Sequence, residues 1–157
     1  MSEITTETDA AWDSLTQRDL KFIEEVDLAR LELERSRLAP EFRQRITSPT
    51  YSLRNRFSMW ESLVHRMEHE WNPSGYYLID EYLNDLDSRA AIGEAISQAP
   101  PELKTKLSSL LDRLDNRFVQ STVNDGGAEF SRWKRRKPTD IPAWLWERVP
   151  ARIPWDR

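Results

Sequence analysis

The 157-residue sequence contains no cysteine, only four glycines and only two histidines. The absence of cysteine excludes disulfide bonds, thiol catalysis and thiolate metal ligands. No glycine-rich phosphate loop and no Gly-x-Ser-x-Gly motif is found. No run approaches the roughly 18 apolar residues of a membrane span, and the acidic N-terminus lacks the pattern of a signal peptide. These absences favour a cytoplasmic protein that is not an enzyme, has no cofactor and does not associate with a membrane.

The chain is rich in charge and in tryptophan. It has 27 acidic and 23 basic side chains, with seven Trp, four Tyr and five Phe. Residues 1–129 carry a net charge of −9, whereas residues 130–157 carry +5. Four of the seven Trp and four of the nine Pro also fall after residue 130. An acidic body with a basic, aromatic end can bind itself, a basic partner or an anionic one.

Two segments have the apolar spacing of a helix packing seam. The spacing of 4, 3, 4, 3 and 4 residues is typical of helices that pack along their length. The first seam consists of Leu53, Phe57, Trp60, Val64, Met67 and Trp71. The second follows Pro101 and consists of Leu103, Leu107, Leu110, Leu114 and Phe118. The two seams can pack on each other or on a second copy of the chain, so a homodimer stays open.

Weaker helical patterns fill the rest of the body. A long helix is predicted over residues 10–38, with a short helical turn over 40–46, and further helices are predicted over 76–86 and through Ile96. The long helix has one apolar stripe (Leu15, Phe22, Val26, Ala29 and Leu33) and a second apolar edge (Leu20, Ile23, Leu31 and Leu38). No run of alternating β-branched residues predicts a strand.

The sequence therefore predicts an all-α fold in one domain. We expect a flexible N-terminus at residues 1–8, a bundle of about four to five helices over 9–123, and a Pro/Trp-rich basic segment over 124–157. We call residues 131–157 the strap and expect it to pack on the bundle. Asp140 is predicted to cap a short helix in the strap that runs to about Val149.

The strap has two interpretations. Its Trp side chains can fill grooves on the acidic bundle, so that the strap acts as a clamp. Alternatively, its basic residues can contact phosphates while Trp stacks on bases, as in nucleic-acid binding. The residues of this second possible interface are Trp133, Arg135, Arg136, Trp144 and Trp146.

The segment His65-Arg-Met-Glu-His69 matches the H-x-x-E-H pattern of a class of zinc proteases. In that chemistry two His one helical turn apart hold zinc, and the Glu acts on the bound water. On a helical wheel, however, His65 and His69 lie away from the packing seam. The segment is therefore interpreted as solvated surface, with a zinc hydrolase as the remote alternative.

A cluster of acidic and tyrosine side chains is the predicted partner-binding surface. It consists of Tyr77, Asp80, Glu81, Tyr82 and Asp85. Tyrosine gives a wide contact area at low entropic cost and is common in interfaces. Carboxylates beside it suit a basic protein partner.

The neighbouring stretch Glu70-Trp-Asn-Pro-Ser-Gly-Tyr-Tyr77 is similar to the turn and tyrosine pair of bacteriocin nuclease immunity proteins. The similarity covers eight of 157 residues and implies a type of surface rather than the role of any residue. The leading hypothesis is a non-catalytic protein-binding module, in its specific form an inhibitor or immunity-type protein that binds a basic partner. The alternative is nucleic-acid association through the strap.

Overall fold

A computed structural model describes residues 5–71 and 77–155 of the chain. Within these ranges the fold is helical, as predicted, with one small two-stranded sheet. The elements are α1 (Glu7–Asp13), α2 (Gln17–Ser36), α3 (Pro40–Arg43), α4 (Leu53–Glu68), α5 (Ile79–Ser97), α6 (Pro101–Ser121), β1 (Thr122–Asn124), α7 (Ala128–Arg132), α8 (Ala143–Trp146) and β2 (Arg148–Pro150). No helix of the described ranges is long and apolar enough to cross a membrane.

The core forms where the two predicted seams meet within one chain. Trp60 of α4 packs on Phe118 of α6 with ring centroids 4.6 Å apart. Every member of both seams is buried except Trp71, which is partly exposed. The indole Nε1 of Trp60 donates to Asp115, so its one polar atom is satisfied inside the core. The seam predictions are confirmed.

The predicted helix over residues 10–38 is in fact two helices. Thr16 begins α2 with a capping box, in which Thr16 Oγ1 accepts from the Asp19 amide and the Asp19 carboxylate accepts from the Thr16 amide. This reciprocal pair satisfies two backbone amides that the start of a helix leaves without an acceptor. It therefore starts a new helix at Thr16, separate from α1.

Helix α1 begins at Glu7, inside the segment that the sequence predicts to be a flexible end. The Glu61 carboxylate of α4 accepts both the Glu7 and the Thr8 backbone amides at 2.9 Å. Thr8 is fully buried. A carboxylate at a helix N-terminus satisfies free amides and favours the helix dipole, so α1 begins earlier than the sequence pattern predicts.

Helix α2 packs by its second apolar edge and by part of the predicted stripe, in which Phe22 and Val26 are partly buried against the core. Ile23 and Leu31 of that edge are buried. In the stripe, Ala29 is exposed and Leu33 is 43% exposed. The C-terminal end of the stripe, at Ala29 and Leu33, is left open because no helix of the described chain covers it.

The strap packs on the bundle, which confirms the predicted architecture. It contributes buried side chains along most of its length: Ile141, Leu145, Trp146, Val149 and Trp155. Residues 148–150 pair antiparallel with β1, with Val149 opposite Val123. The predicted strap helix therefore ends at Trp146 instead of Val149. Strands of three residues have no visible alternation, so this pairing left no signal in the sequence.

Candidate functional site

The predicted tyrosine and carboxylate surface is largely buried. Tyr82 is fully buried and its hydroxyl donates to the Arg148 carbonyl at 2.7 Å. Tyr77 is also buried, and its hydroxyl donates to the Asp85 carboxylate, which is itself buried. Tyr77, Tyr82 and Asp85 are therefore not accessible to a partner, because these side chains face the core and the strap. The neighbouring turn, residues 72–76, lies outside the described residues.

Asp80 and Glu81 remain exposed in the first turn of α5. Asp80 forms a 3.0 Å ion pair with Arg135 of the strap. The Glu81 carboxylate accepts from the Leu78 amide and caps the helix. These two residues are the accessible part of the predicted surface.

The burial of Asp85 predicts a dependence of stability on pH. Burial raises the pKa of the Asp85 carboxyl from 3.8 to about 6, although the hydrogen bond from Tyr77 acts in the opposite direction. The folded state thus binds this proton more tightly than the unfolded state, and its contribution to stability falls as pH rises from about 4 to about 6. At about 1.4 kcal/mol per pKa unit, we expect a loss of about 3 kcal/mol.

Urea unfolding of the wild type and of Asp85→Asn at pH 4 and pH 7 tests this expectation. From pH 4 to pH 7, the free energy of unfolding of Asp85→Asn should rise by about 3 kcal/mol relative to that of the wild type. The comparison of the two proteins matters, because Arg117 and Lys106 lower the pKa of Glu68 and Asp19 by hydrogen bonding and give the opposite trend in both proteins. A difference that stays constant with pH would contradict the assignment.

In the H-x-x-E-H segment the Glu is already bound. Arg117 donates to the two carboxylate oxygens of Glu68 at 2.6 and 2.9 Å. This pairing lowers the pKa of Glu68. The exposed rings of His65 and His69 stack at 4.1 Å, with His69 Nδ1 2.8 Å from the His65 carbonyl oxygen. The described residues contain no group of three side chains that could hold a metal.

Most of the strap's aromatic surface is covered. The indole nitrogens of Trp133 and Trp155 both donate to Glu129 Oε1, at 3.1 and 3.2 Å. Trp146 stacks on Phe130 with centroids 4.0 Å apart. Through these contacts three of the four strap Trp side chains attach the strap to the bundle, instead of offering their rings for stacking on bases.

Trp144 is the most accessible of the strap Trp, at 38% exposed. The guanidinium of Arg89 lies 5.4 Å from its ring centroid. Arg136 is exposed, and Arg135 is paired with Asp80. The second possible interface is therefore reduced to one partly covered ring and a few surface cations.

A groove that the sequence did not predict lies between α2, α4 and α5. It has a volume of about 580 Å³, and apolar residues line both long walls. They are Val26, Ala29 and Leu33 from α2, and Ala90, Ala91 and Ala95 from α5. The α2 wall consists of residues from the stripe that the sequence predicts to be packed. This stripe is the one sign of the groove in the sequence.

Arg56 of α4 forms part of the groove and is only 5% exposed. Within the described residues its one hydrogen bond is a 3.3 Å contact from an Nη to Ser88 Oγ, and no carboxylate lies within 4 Å. Burial, followed by repulsion from Arg30, lowers its pKa. Arginine nevertheless stays protonated in proteins, so the positive charge persists in the groove.

Arg30 brings a second guanidinium to the same groove. Its buried Nε makes no hydrogen bond, and the nearest carboxylate oxygen, Glu34 Oε1, is 3.6 Å away. The nearby Asp27 carboxylate accepts from the Leu53 amide at 2.8 Å, and burial raises its pKa. Arg30 is partly exposed and paired with Glu34, so the cost of several kcal/mol for a buried ion without a close partner applies to Arg56. We define Arg30 and Arg56 as the arginine floor of the groove.

The exposed side of α5 forms an acidic rim on the groove. Positions spaced 4, 3, 4, 3 and 4 along this helix are at least partly exposed: Asp80, Asn84, Asp87, Ala91, Glu94 and Gln98. Asp87 and Glu94 line the groove together with Asp140 of the strap, and none of the three has an ion-pair partner within the described chain. We call Asp87, Glu94 and Asp140 the acidic rim.

The groove offers binding chemistry. Its apolar walls can bury a ligand's body, its arginine floor can accept an anion, and its acidic rim can attract cations. The residues that line it include no histidine, cysteine or serine. Comparison with protein-family models, with curated proteins and with solved structures finds no match for this chain.

Proposed function

We propose that the protein is a non-catalytic protein-binding module that recognises a basic partner along α5. An inhibitor or immunity-type protein of the cytoplasm is the specific form of this proposal. The observation that carries it is the acidic rim, whose carboxylates lie beside an open groove and have no ion-pair partner within the described chain.

The arrangement of the rim suits a polypeptide. Asp80, Asp87 and Glu94 are seven residues apart, so consecutive carboxylates are about 10 Å apart along the helix. A basic segment lying along α5 could place successive Lys or Arg side chains on them. Arg135 already binds Asp80 in this way, and this contact is an intramolecular example of the proposed recognition.

The two other functions have less support. Nucleic-acid association requires accessible Trp rings for stacking, and Trp146 and Trp155 are buried. A zinc hydrolase requires a free Glu beside the His pair, and the Glu68 carboxylate is held by Arg117.

The double variant Asp87→Asn/Glu94→Gln tests the proposal. We expect affinity purification from the native cell to capture a basic protein with the wild type, and the variant to bind it about tenfold more weakly through slower association. Surface plasmon resonance at several salt concentrations would measure this, since rim charges act mainly on the association rate and its salt dependence.

The matched control is Glu24→Gln/Glu25→Gln, which removes two exposed carboxylates from α2 outside the groove. It has the same net charge as the test variant. If the control weakens binding as much as the rim variant does, the loss of affinity comes from the change in net charge and not from recognition along α5. If neither changes the partner's affinity, the proposed surface is wrong.

A further inference from the structure

We propose that the arginine floor binds the carboxylate of a small organic acid with an apolar body, and that Arg56 is its anchor. This site differs from the partner surface proposed above, because it uses the buried base of the groove rather than the acidic rim. The volume of about 580 Å³ lies within the range of small-molecule sites, which is about 300–1,000 Å³.

Arg56 has unused hydrogen-bonding capacity. A guanidinium has five donors in a planar fork that matches a carboxylate, and in the described chain Arg56 uses one nitrogen, on Ser88. The neighbouring Arg30 has a buried Nε without an acceptor. A carboxylate between these groups would supply the hydrogen-bond acceptors that Glu34 and Asp87 do not provide.

Stability alone does not explain a buried arginine at position 56. Replacing a buried ion by an apolar residue of similar size is often neutral or stabilising. The Arg56 side chain is buried, and its Cζ lies 5.5 Å from the ring centroid of Tyr51. A buried charge in an open groove points to a ligand of opposite charge.

The surrounding carboxylates define the class of acid. Asp87 and Glu34 act favourably on the charge of Arg56 from beyond contact distance, and Asp27 is engaged with the Leu53 amide. Together with Glu94 and Asp140, they would repel a multiply charged anion. The groove should therefore prefer one carboxylate on an aliphatic or aromatic body over inorganic phosphate.

Calorimetry and Arg Nε–Hε NMR spectra of the full chain test the site with three probes at equal ionic strength: 3-phenylpropionate, its amide 3-phenylpropionamide, and inorganic phosphate. We expect the carboxylate to bind at least tenfold more tightly than the amide and to shift the Arg56 resonance. Phosphate should bind at least tenfold more weakly than 3-phenylpropionate. Equal affinity for the acid and the amide would overturn the proposal, and so would an absence of acid binding.

Variants on one helix identify the anchor. Arg56→Met should lose at least tenfold in affinity for 3-phenylpropionate without a fall in Tm, and Arg56→Lys should lose severalfold because it lacks the planar fork. Arg54→Met is the matched control, since this exposed neighbour lies outside the groove and should bind as the wild type does. Wild-type affinity in Arg56→Met would overturn the inference. Failure of Arg56→Met to fold would also overturn it, because Arg56 would then be structural.

The rim variant separates this inference from the proposed function. Asp87→Asn/Glu94→Gln should bind 3-phenylpropionate as tightly as the wild type or more tightly, because it removes repulsive charges. Acid binding with no loss of partner binding in this variant would support the floor and contradict the partner surface. Loss of partner binding without any acid binding would support the partner surface and contradict the floor.

Discussion

A chain that ends at Glu129 should lose cooperative unfolding. The truncation removes seven side chains that are buried in the described structure: Phe130, Ile141, Leu145, Trp146, Val149, Pro150 and Trp155. Loss of a large buried side chain costs about 2–5 kcal/mol, and a domain of this size has only about 5–15 kcal/mol in total. Near-UV circular dichroism during heating should therefore show no sharp transition.

A chain that ends at Trp155 is the matched control and should unfold cooperatively. The stability of the single variant Leu145→Ala should lie between those of the two truncated chains. We expect its free energy of unfolding to be about 2–5 kcal/mol below that of the wild type, because Leu145 is fully buried. A truncated chain that keeps the wild-type midpoint would show that the strap covers the bundle without stabilising it.

Glu129→Leu should lower the free energy of unfolding by about 2–4 kcal/mol, because each buried indole N–H left without an acceptor costs about 1–3 kcal/mol. One oxygen of this buried carboxylate accepts from the indole nitrogens of Trp133 and Trp155 and from Arg132. The variant would leave these donors without an acceptor. It would also release the strap at the point where two of its Trp are held.

Urea unfolding followed by Trp fluorescence measures this loss. Glu129→Gln keeps an acceptor without the charge and should lose about 1–2 kcal/mol. Glu24→Leu, at an exposed position of α2, should stay within about 0.5 kcal/mol of the wild type. Equal stability of Glu129→Leu and Glu129→Gln would show that the three donors find other acceptors.

The two seams could be predicted because their information is local. Leu53 and Phe57 share a face by helix geometry alone, and so do Leu103 and Leu107. Such long, regular patterns predict burial in almost any bundle. The α2 stripe shows the limit of this logic. Val26, Ala29 and Leu33 have the same spacing, yet nothing in a spacing says whether a partner helix exists to cover them.

The polar part of the site depended on contacts between distant residues. Tyr82 binds the carbonyl of Arg148, and Tyr77 shares a hydrogen bond with Asp85. Both tyrosines had seemed suited to an interface because their side chains are amphipathic. The same property suits a buried position that offers one hydrogen-bond partner. For Tyr82 the path of the strap decides between these alternatives, and for Tyr77 the burial of Asp85 on α5 decides.

The sequence by itself determined the helical class, the two packing seams and the presence of a basic, Trp-rich strap. These follow from residue spacing and composition, which act within a few turns of helix. The tertiary structure decided where the strap lies, that Glu129 rather than a partner holds Trp133 and Trp155, and that Arg56 is buried beside an open groove. The cost of a buried charge depends on what surrounds it in three dimensions, so a helical pattern that contains Arg56 cannot reveal it.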